Sequence, residues 1–205
     1  MHIAVAGNIG SGKTTLTGML AKHFNWEPTY ESVENNPYLA SFYEDMQRWS
    51  FNLQVYFLNH RFRQVIELRK RKRDVIQDRT IYEDAYIFAP NLHAMGLMPT
   101  RDFENYASLF ELMTQFLQAP DLLIYLKADT STLVKQISKR GREYENTIRL
   151  DYLQHLNERY DKWIDHYKLG KLLVFDVSKL KFEENTEDFG FIIEKINAEL
   201  YGLFR

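Results

Sequence analysis

The sequence predicts an α/β fold, a parallel β-sheet covered by helices on both faces. Three observations predict it. Short apolar runs alternate with longer segments of helical spacing along all 205 residues, the pattern that builds βαβ units. The first run, HIAVAG at residues 2–7, ends in the glycine-rich stretch Gly7-Asn8-Ile9-Gly10-Ser11-Gly12-Lys13-Thr14. Leu16, Met19, Leu20 and Phe24 then recur at helical intervals. Strand, glycine loop and helix in this order predict a P-loop NTPase-type three-layer fold with a five-stranded parallel sheet flanked by helices.

The remaining elements follow in order. Pro28 ends the first connection, and Thr29–Val33 is the second strand. Asn36-Pro37 breaks the chain before a short helix over Tyr38–Met46. A long helix covers about 48–71, with Phe51, Val55, Leu58, Phe62, Val65 and Ile66 too widely spread for one apolar stripe. DVIQ at 74–77 is the third strand, Ile81–Ala89 a helix, and 91–100 a loop holding Gly96 and Pro99. A second broad apolar helix covers about 103–117. LLIYLK at 122–127 is a buried strand, and Asp129 caps a helix over 130–139. Residues 140–149 are strongly polar. A helix over 150–166, a strand over 171–177 and a helix over 188–200 complete the chain. Without linker or repeat, residues 1–205 are expected to form a single domain.

Composition excludes several function classes. The net charge is -2, so no strong field draws the chain to a nucleic acid polymer or a membrane surface. The basic run Arg69–Arg73 reads as a solvated helix end. With no cysteine, disulfides, thiolate catalysis and cysteine-based zinc sites are ruled out. The six histidines have no metal-like spacing; His60, His155 and His166 fall on helices and His93 on a loop. No apolar run approaches the length of a membrane span, and no secretory segment precedes the first strand. The expectation is a complete, cytoplasmic chain.

The loop at 7–14 matches G-x-x-x-x-G-K-[ST]. Its glycines let backbone N–H groups close around phosphate oxygens, and the following helix adds its positive end. Lys13 brings a cation to the β/γ-phosphates, and the Thr14 hydroxyl suits Mg²⁺. The fate of the γ-phosphate is left open by the loop. No NKxD-like guanine-reading tetrad is present, and Glu31 stands in the second predicted strand. A carboxylate there suits removal of an alcohol proton during phosphoryl transfer, though it also suits a capping or surface role.

More of the chain carries a specific resemblance. The phosphate loop, Glu31-Ser32-Val33, Asn36-Pro37-Tyr38, Trp49-Ser50-Phe51-Asn52-Leu53-Gln54, Asp78-Arg79-Thr80 with Asp84, and Arg140-Gly141-Arg142 with Glu145 together resemble the deoxynucleoside kinases, especially their bacterial deoxyadenosine/deoxyguanosine branch. The resemblance implies ATP and Mg²⁺ as cofactors and a small-molecule deoxynucleoside as acceptor. Glu31 is then the general base, and Arg79, Lys13 and Arg142 stabilise the transferred phosphoryl group. Residues 7–14 with Thr15, Arg140 and Arg142 bind the donor, while Thr14 and Asp78 position the metal. Gln54 and Asp84, with Arg61, read the base edge; Phe88 stacks on the base, and Trp49 lines the same pocket. Tyr43 and Glu145 bind the sugar 3′-hydroxyl, and 138–149 is a lid over the phosphates. Two positions depart from the family pattern: Thr80 replaces the serine after Arg79, and Gln136 stands where a lid arginine is expected. Helices 48–71 and 103–117 are implied to form a homodimer interface. Two rivals share the loop: a thymidylate-type monophosphate kinase, disfavoured by a carboxylate beside the acceptor, and a non-catalytic regulatory subunit, disfavoured by the joint presence of Glu31, Arg79 and Arg142.

Overall fold

The computed structural model describes residues 1–30 and 36–202. Glu31, and with it most of the predicted strand 29–33, lies outside the described residues.

Five parallel strands run in the order β2-β3-β1-β4-β5: β1 His2–Gly7, β2 Glu27–Thr29, β3 Val75–Asp78, β4 Leu122–Lys127 and β5 Lys171–Asp176. Register is set by Ile3 opposite both Ile76 and Leu122, and by Leu122 opposite Lys171. Successive residues of a strand point to opposite faces, and the core divides accordingly. Ile3, Val5, Leu122, Ile124 and Leu126 pack on one face with Leu16 and Leu20 of α1 (Lys13–Phe24) and Ile192 and Ile196 of the C-terminal helix, Thr186–Tyr201. Ala4, Ala6, Leu123 and Tyr125 pack on the other with Leu53 and Leu58, Tyr106 and Phe110, and Tyr152, Leu156 and Tyr160 of the helices 46–69, 100–114 and 150–165. Both faces are therefore covered, and β1 and β4 read as continuous apolar runs for that reason.

The helices after α1 are α2 (Leu39–Glu44), α3 (Met46–Arg69), α4 (Ile81–Glu83), α5 (Ala89–Ala94), α6 (Thr100–Thr114), α7 (Thr130–Arg140), α8 (Leu150–Asp165) and α9 (Thr186–Tyr201). Asp129 caps α7 by accepting from the Thr132 N–H at 2.6 Å, as expected from sequence.

Three expectations need correction. Pro28 does not end a connection but lies inside β2, which pairs Pro28 with Ile76. An edge strand tolerates proline because one side of its backbone needs no ladder bond. The segment 81–89 is not one regular helix. It opens as α4, widens into a π-helical turn at Asp84–Phe88, and tightens again into α5. The predicted loop 91–100 starts as the end of α5, so His93 is helical and stacks on Phe103 at 4.5 Å. The polar stretch 140–149 contains a 3-10 turn at Glu143–Thr147.

Candidate active site

The carboxyl ends of β1 and β3 deliver the site, as open α/β sheets generally do. β1 runs straight into the glycine loop. Gly10 adopts φ +84°, and a Cβ there would stand 2.8 Å from the Leu133 carbonyl. Gly12 takes φ +86° as it turns the chain into α1. Only glycine enters both conformations without strain. Lys13 folds back so that its Nζ donates to the Asn8 carbonyl at 2.8 Å. The Asn8 amide holds the loop against α8, donating to the Leu153 carbonyl at 3.0 Å and to Asn157 Oδ1 at 2.7 Å.

β3 ends in Asp78, and Arg79 follows at φ +68°, a left-handed backbone unusual for a side chain of this size. Its N–H donates to the Val5 carbonyl at 2.9 Å. Its guanidinium lies over the Phe88 ring, 4.5 Å from the centroid, and donates to the Tyr160 hydroxyl at 3.0 Å. Thr80 then starts α4 with a reciprocal cap. Thr80 Oγ1 accepts from the Glu83 N–H, and Glu83 Oε2 accepts from the Thr80 N–H at 2.7 Å. Thr14 Oγ1 donates to Asp78 Oδ2 at 2.6 Å, joining the two strand ends.

Above these ends opens a cavity of about 550 Å³, within the range of roughly 300–1,000 Å³ usual for small-molecule sites. Ile9, Gly10, Lys13, Thr14, Thr15 and Arg79 line it. Gln54, Asp84 and Phe88 line it too, with Leu53 and Phe57, and Arg79 over the Phe88 ring links the two sets. Gln54 and Phe57 stand three residues apart on α3, and Arg61 follows four further on, so one helix stripe presents all three. The π turn brings Asp84 and Phe88 to the same wall. Arg61, only 2% exposed, is not itself at the wall; its Nε donates to Asp84 Oδ2 from behind. Gln54 is equally buried, and its Oε1 has no hydrogen-bond partner among the described residues.

Tyr43, Arg140, Arg142, Tyr144 and Glu145 close the cavity's flank. Arg140 grips Glu145 with Nε at 3.0 Å and Nη2 at 2.5 Å, and Arg142 Nη1 stands 3.5 Å from Glu145 Oε1. The Tyr144 ring stacks on Tyr43, with centroids 5.8 Å apart and planes 15° apart. Tyr152 lies beneath, and burial pushes its phenol well above the ordinary range.

Trp49 is a correction. Its ring lies against Tyr38 and under the Arg48 guanidinium, outside the cavity wall. Ser11 and Gly12 line a separate small hollow with Gln136, Phe182 and Glu183. Sequence reading missed Tyr30, Phe57, Tyr144 and Tyr152 as cavity residues, and it missed the buried Glu83 and Tyr160 altogether. For Glu83 a signal existed, since Thr80-x-x-Glu83 spells a capping box.

A phosphate loop, a strand-end arginine and an acceptor chamber in continuous contact define a phosphotransferase acting on a small molecule. Residues 3–201 match the sequence model of the family described as Deoxynucleoside kinase, and the chain belongs to that family. It is a deoxynucleoside kinase, which removes both the monophosphate-kinase and the regulatory-subunit alternatives. The chain is 40% identical over 205 residues to the deoxyadenosine/deoxycytidine kinase of Bacillus subtilis, covering 97% of this chain and 93% of that one. It is 37% identical over 207 residues to the deoxyguanosine kinase of Lactobacillus johnsonii, covering 97% and 92%. The solved deoxyadenosine kinase of M. mycoides with dCMP and dCDP bound superposes with a TM-score of 0.87 at 29% identity, covering 97% of this chain and 100% of that chain. The same kinase with dATP bound superposes with a TM-score of 0.85 at 28% identity, covering 96% and 99%. Among the described residues, no helix is long and apolar enough to cross a membrane.

Proposed function

We propose that this kinase transfers the γ-phosphate of ATP to the 5′-hydroxyl of a purine deoxynucleoside, deoxyadenosine first, with deoxyguanosine or deoxycytidine as further substrates. The carrying observation is that a single cavity is lined by Lys13, Thr14 and Arg79 together with Gln54, Asp84 and Phe88. The names of the relatives above, deoxyadenosine among them, support the purine order.

In this reading the loop at 7–14 binds phosphates as in P-loop NTPases. The small hollow beside Gly10 and Gly12, with Phe182 on its wall, borders the donor loop. Glu31, outside the described residues, removes the 5′-hydroxyl proton. Lys13, Arg79 and Arg142 neutralise charge spreading over the transferred phosphoryl group. Gln54 and Asp84 meet the base edge, with Arg61 fixing the Asp84 carboxylate. Phe88 offers its ring to the base, and Tyr43 and Glu145 meet the 3′-hydroxyl. The segment 138–149 acts as a lid, with Arg140 and Arg142 exchanging Glu145 for phosphate.

Mg²⁺ fits the Thr14–Asp78 pair, whose oxygens are the hard donors that ion accepts. When bound, it supplies charge stabilisation at phosphate oxygens. No cluster of three His, Cys, Asp or Glu is found among the described residues. The ion would therefore complete its shell with water and phosphate.

A homodimer through α3 and α6 is also proposed. Leu112 and Phe116 are 57% and 62% exposed, and exposed Tyr86 meets Phe110 of α6 edge-on. Such apolar surface suits a two-fold helical contact. The working compartment would be the cytoplasm, where ATP is plentiful.

Turnover of four deoxynucleosides and adenosine with ATP tests the assignment. Deoxyadenosine is expected to give the highest kcat/KM. A strong preference for thymidine would overturn the purine reading.

A further inference from the structure

Two fully buried polar residues have no place in the reading above. Glu83 and Tyr160 are both 0% exposed. A buried carboxylate is costly unless every oxygen is satisfied, so the partners of each oxygen are informative. Glu83 Oε2 is used by the α4 cap, accepting from the Thr80 N–H and lying 3.2 Å from Thr80 Oγ1. Capping does not account for Oε1. That oxygen accepts from the Gly7 N–H at 3.2 Å, lies 2.8 Å from the Tyr160 hydroxyl, and faces Arg79 Nη1 at 3.7 Å.

The Tyr160 hydroxyl completes the arrangement. It stands 2.9 Å from the Gly7 carbonyl and accepts from Arg79 Nη1 at 3.0 Å. Its one proton can serve Gly7 or Glu83, and burial with the neighbouring Glu83 charge keeps that proton on. The ring is wedged between Tyr125, stacked at 5.6 Å, and Phe88, edge-on at 6.4 Å. Thus the N–H of Gly7, the first residue of the phosphate loop, is held by Glu83, its carbonyl lies within reach of the Tyr160 hydroxyl, and the same two side chains meet Arg79.

We infer that Glu83 and Tyr160 are positioning residues that lock the phosphate loop and the Arg79 guanidinium into one rigid unit, so that donor phosphate and phosphoryl clamp keep a fixed separation. The inference rests on the proposed role of Arg79 at the transferred phosphoryl group. Its physical basis is that a clamp acting on a transition state must be preorganised, and that small misplacements are expensive. Arg79 reaches its place from a strained backbone, which persists only where surroundings over-determine it. Glu83, Tyr160 and Phe88 are among those surroundings.

Tyr160→Phe keeps the ring and removes the hydroxyl. Glu83→Gln keeps the shape but leaves a single acceptor oxygen, which can serve the Thr80 N–H or the Gly7 N–H and not both. Steady-state kinetics with ATP and the fastest deoxynucleoside of the panel are measured for each, and for Arg79→Lys alone and combined with Tyr160→Phe. The inference expects kcat to fall by roughly 30- to 100-fold in Tyr160→Phe, with the nucleoside KM within about twofold. In the Arg79→Lys background the same change should cost less than about threefold, because there is no guanidinium left to aim. Glu83→Gln should repeat the kcat-selective loss, which keeps the test decisive if Tyr160→Phe folds poorly. If Arg79→Lys is severely impaired while Tyr160→Phe and Glu83→Gln turn over normally, the positioning role is wrong and the Arg79 role stands. Multiplicative losses in the double variant would also overturn it. Normal turnover by Arg79→Lys would instead overturn the Arg79 role, and the inference with it.

Discussion

Thr14 Oγ1 donates to Asp78 Oδ2 at 2.6 Å, and this bond joins the start of α1 to the end of β3. The strands that lead to them, β1 and β3, pair directly, with Val5 opposite Asp78. The contact therefore needs no long loop to hold it, and the sheet itself sets the separation of the two oxygens.

Thr14→Val removes the hydroxyl while keeping a β-branched side chain of similar volume. If Thr14 and Asp78 together hold Mg²⁺, the variant should need roughly ten- to a hundredfold more Mg²⁺ for half-maximal rate. Thr14→Ser should restore the wild-type requirement. Magnesium titrations of initial rate check this. A Thr14→Val protein with an unchanged magnesium curve would remove Thr14 from the metal site.

Gln54 should show activity and stability moving in opposite directions. Its Oε1 is buried without a hydrogen-bond partner among the described residues, a state that costs about 1–3 kcal/mol unless a ligand satisfies it. Gln54→Leu removes that burden, so the ligand-free protein should be equally or more stable, by up to about 1 kcal/mol. The same change deprives the base edge of its partner, and kcat/KM should fall by roughly 5- to 150-fold. Thermal unfolding beside kinetics distinguishes this from a packing role, in which both quantities would fall together.

How much of this is legible in the sequence depends on which physical signal each residue leaves. β1 and β4 are legible because burial on both faces leaves an uninterrupted apolar run. The glycine loop is legible because its φ values demand glycine. β2 is misread because proline looks like a breaker until the strand is known to be an edge. The π turn at Asp84–Phe88 leaves no trace, since i→i+5 and i→i+4 bonding use the same residue types. Trp49 is close to Gln54 in sequence but not on the same helix face. Five residues on a helix of 3.6 per turn rotate a side chain about 140° away, and the ring faces Tyr38 instead. Tyr144 lies in a stretch whose visible signal is its arginines, and nothing local announces that it stacks on Tyr43, about a hundred residues away. Long-range partners of this kind are set by tertiary packing alone.

The Asp129 cap predicts a pH signature in stability. Its carboxylate accepts from the Thr132 backbone N–H and the Ser131 hydroxyl, and these bonds hold its pKa down at about 2, against an ordinary 3.8. A folded-state value below the unfolded one means that the cap's ionic contribution is present above about pH 4 and is lost as pH falls through about 2. Asp129→Ala should cost about 1 kcal/mol at neutral pH. Asp129→Asn keeps an acceptor that does not titrate, so its stability relative to wild type should improve on acidification across that window. Urea midpoints at pH 7, 4 and 3 measure it, and parallel pH curves for the two proteins would contradict the cap's titration.

Arg79 poses a competition of magnitudes. Its left-handed backbone at φ +68° stores about 1–3 kcal/mol of strain, which glycine would relieve. Strain relief alone would make Arg79→Gly more stable than wild type. The lost side-chain contacts oppose it and outweigh it. Removing the guanidinium leaves Glu83, fully buried, without its cation, and breaking a buried pair costs about 3–5 kcal/mol. It also strips Phe88 of the cation over its ring, about 1 kcal/mol or more when desolvated, and adds glycine's own unfolded-state entropy, about 0.5–1 kcal/mol. The balance favours destabilisation by about 2–6 kcal/mol, together with a loss of kcat of about a thousandfold. Urea unfolding of Arg79→Gly beside wild type reads the stability change, and its sign is the informative part. A net loss means that the strain at Arg79 is outweighed by the very contacts that aim its side chain, whereas a more stable, inactive Arg79→Gly protein would mean that the backbone strain is held by the sheet alone and the buried pair contributes little.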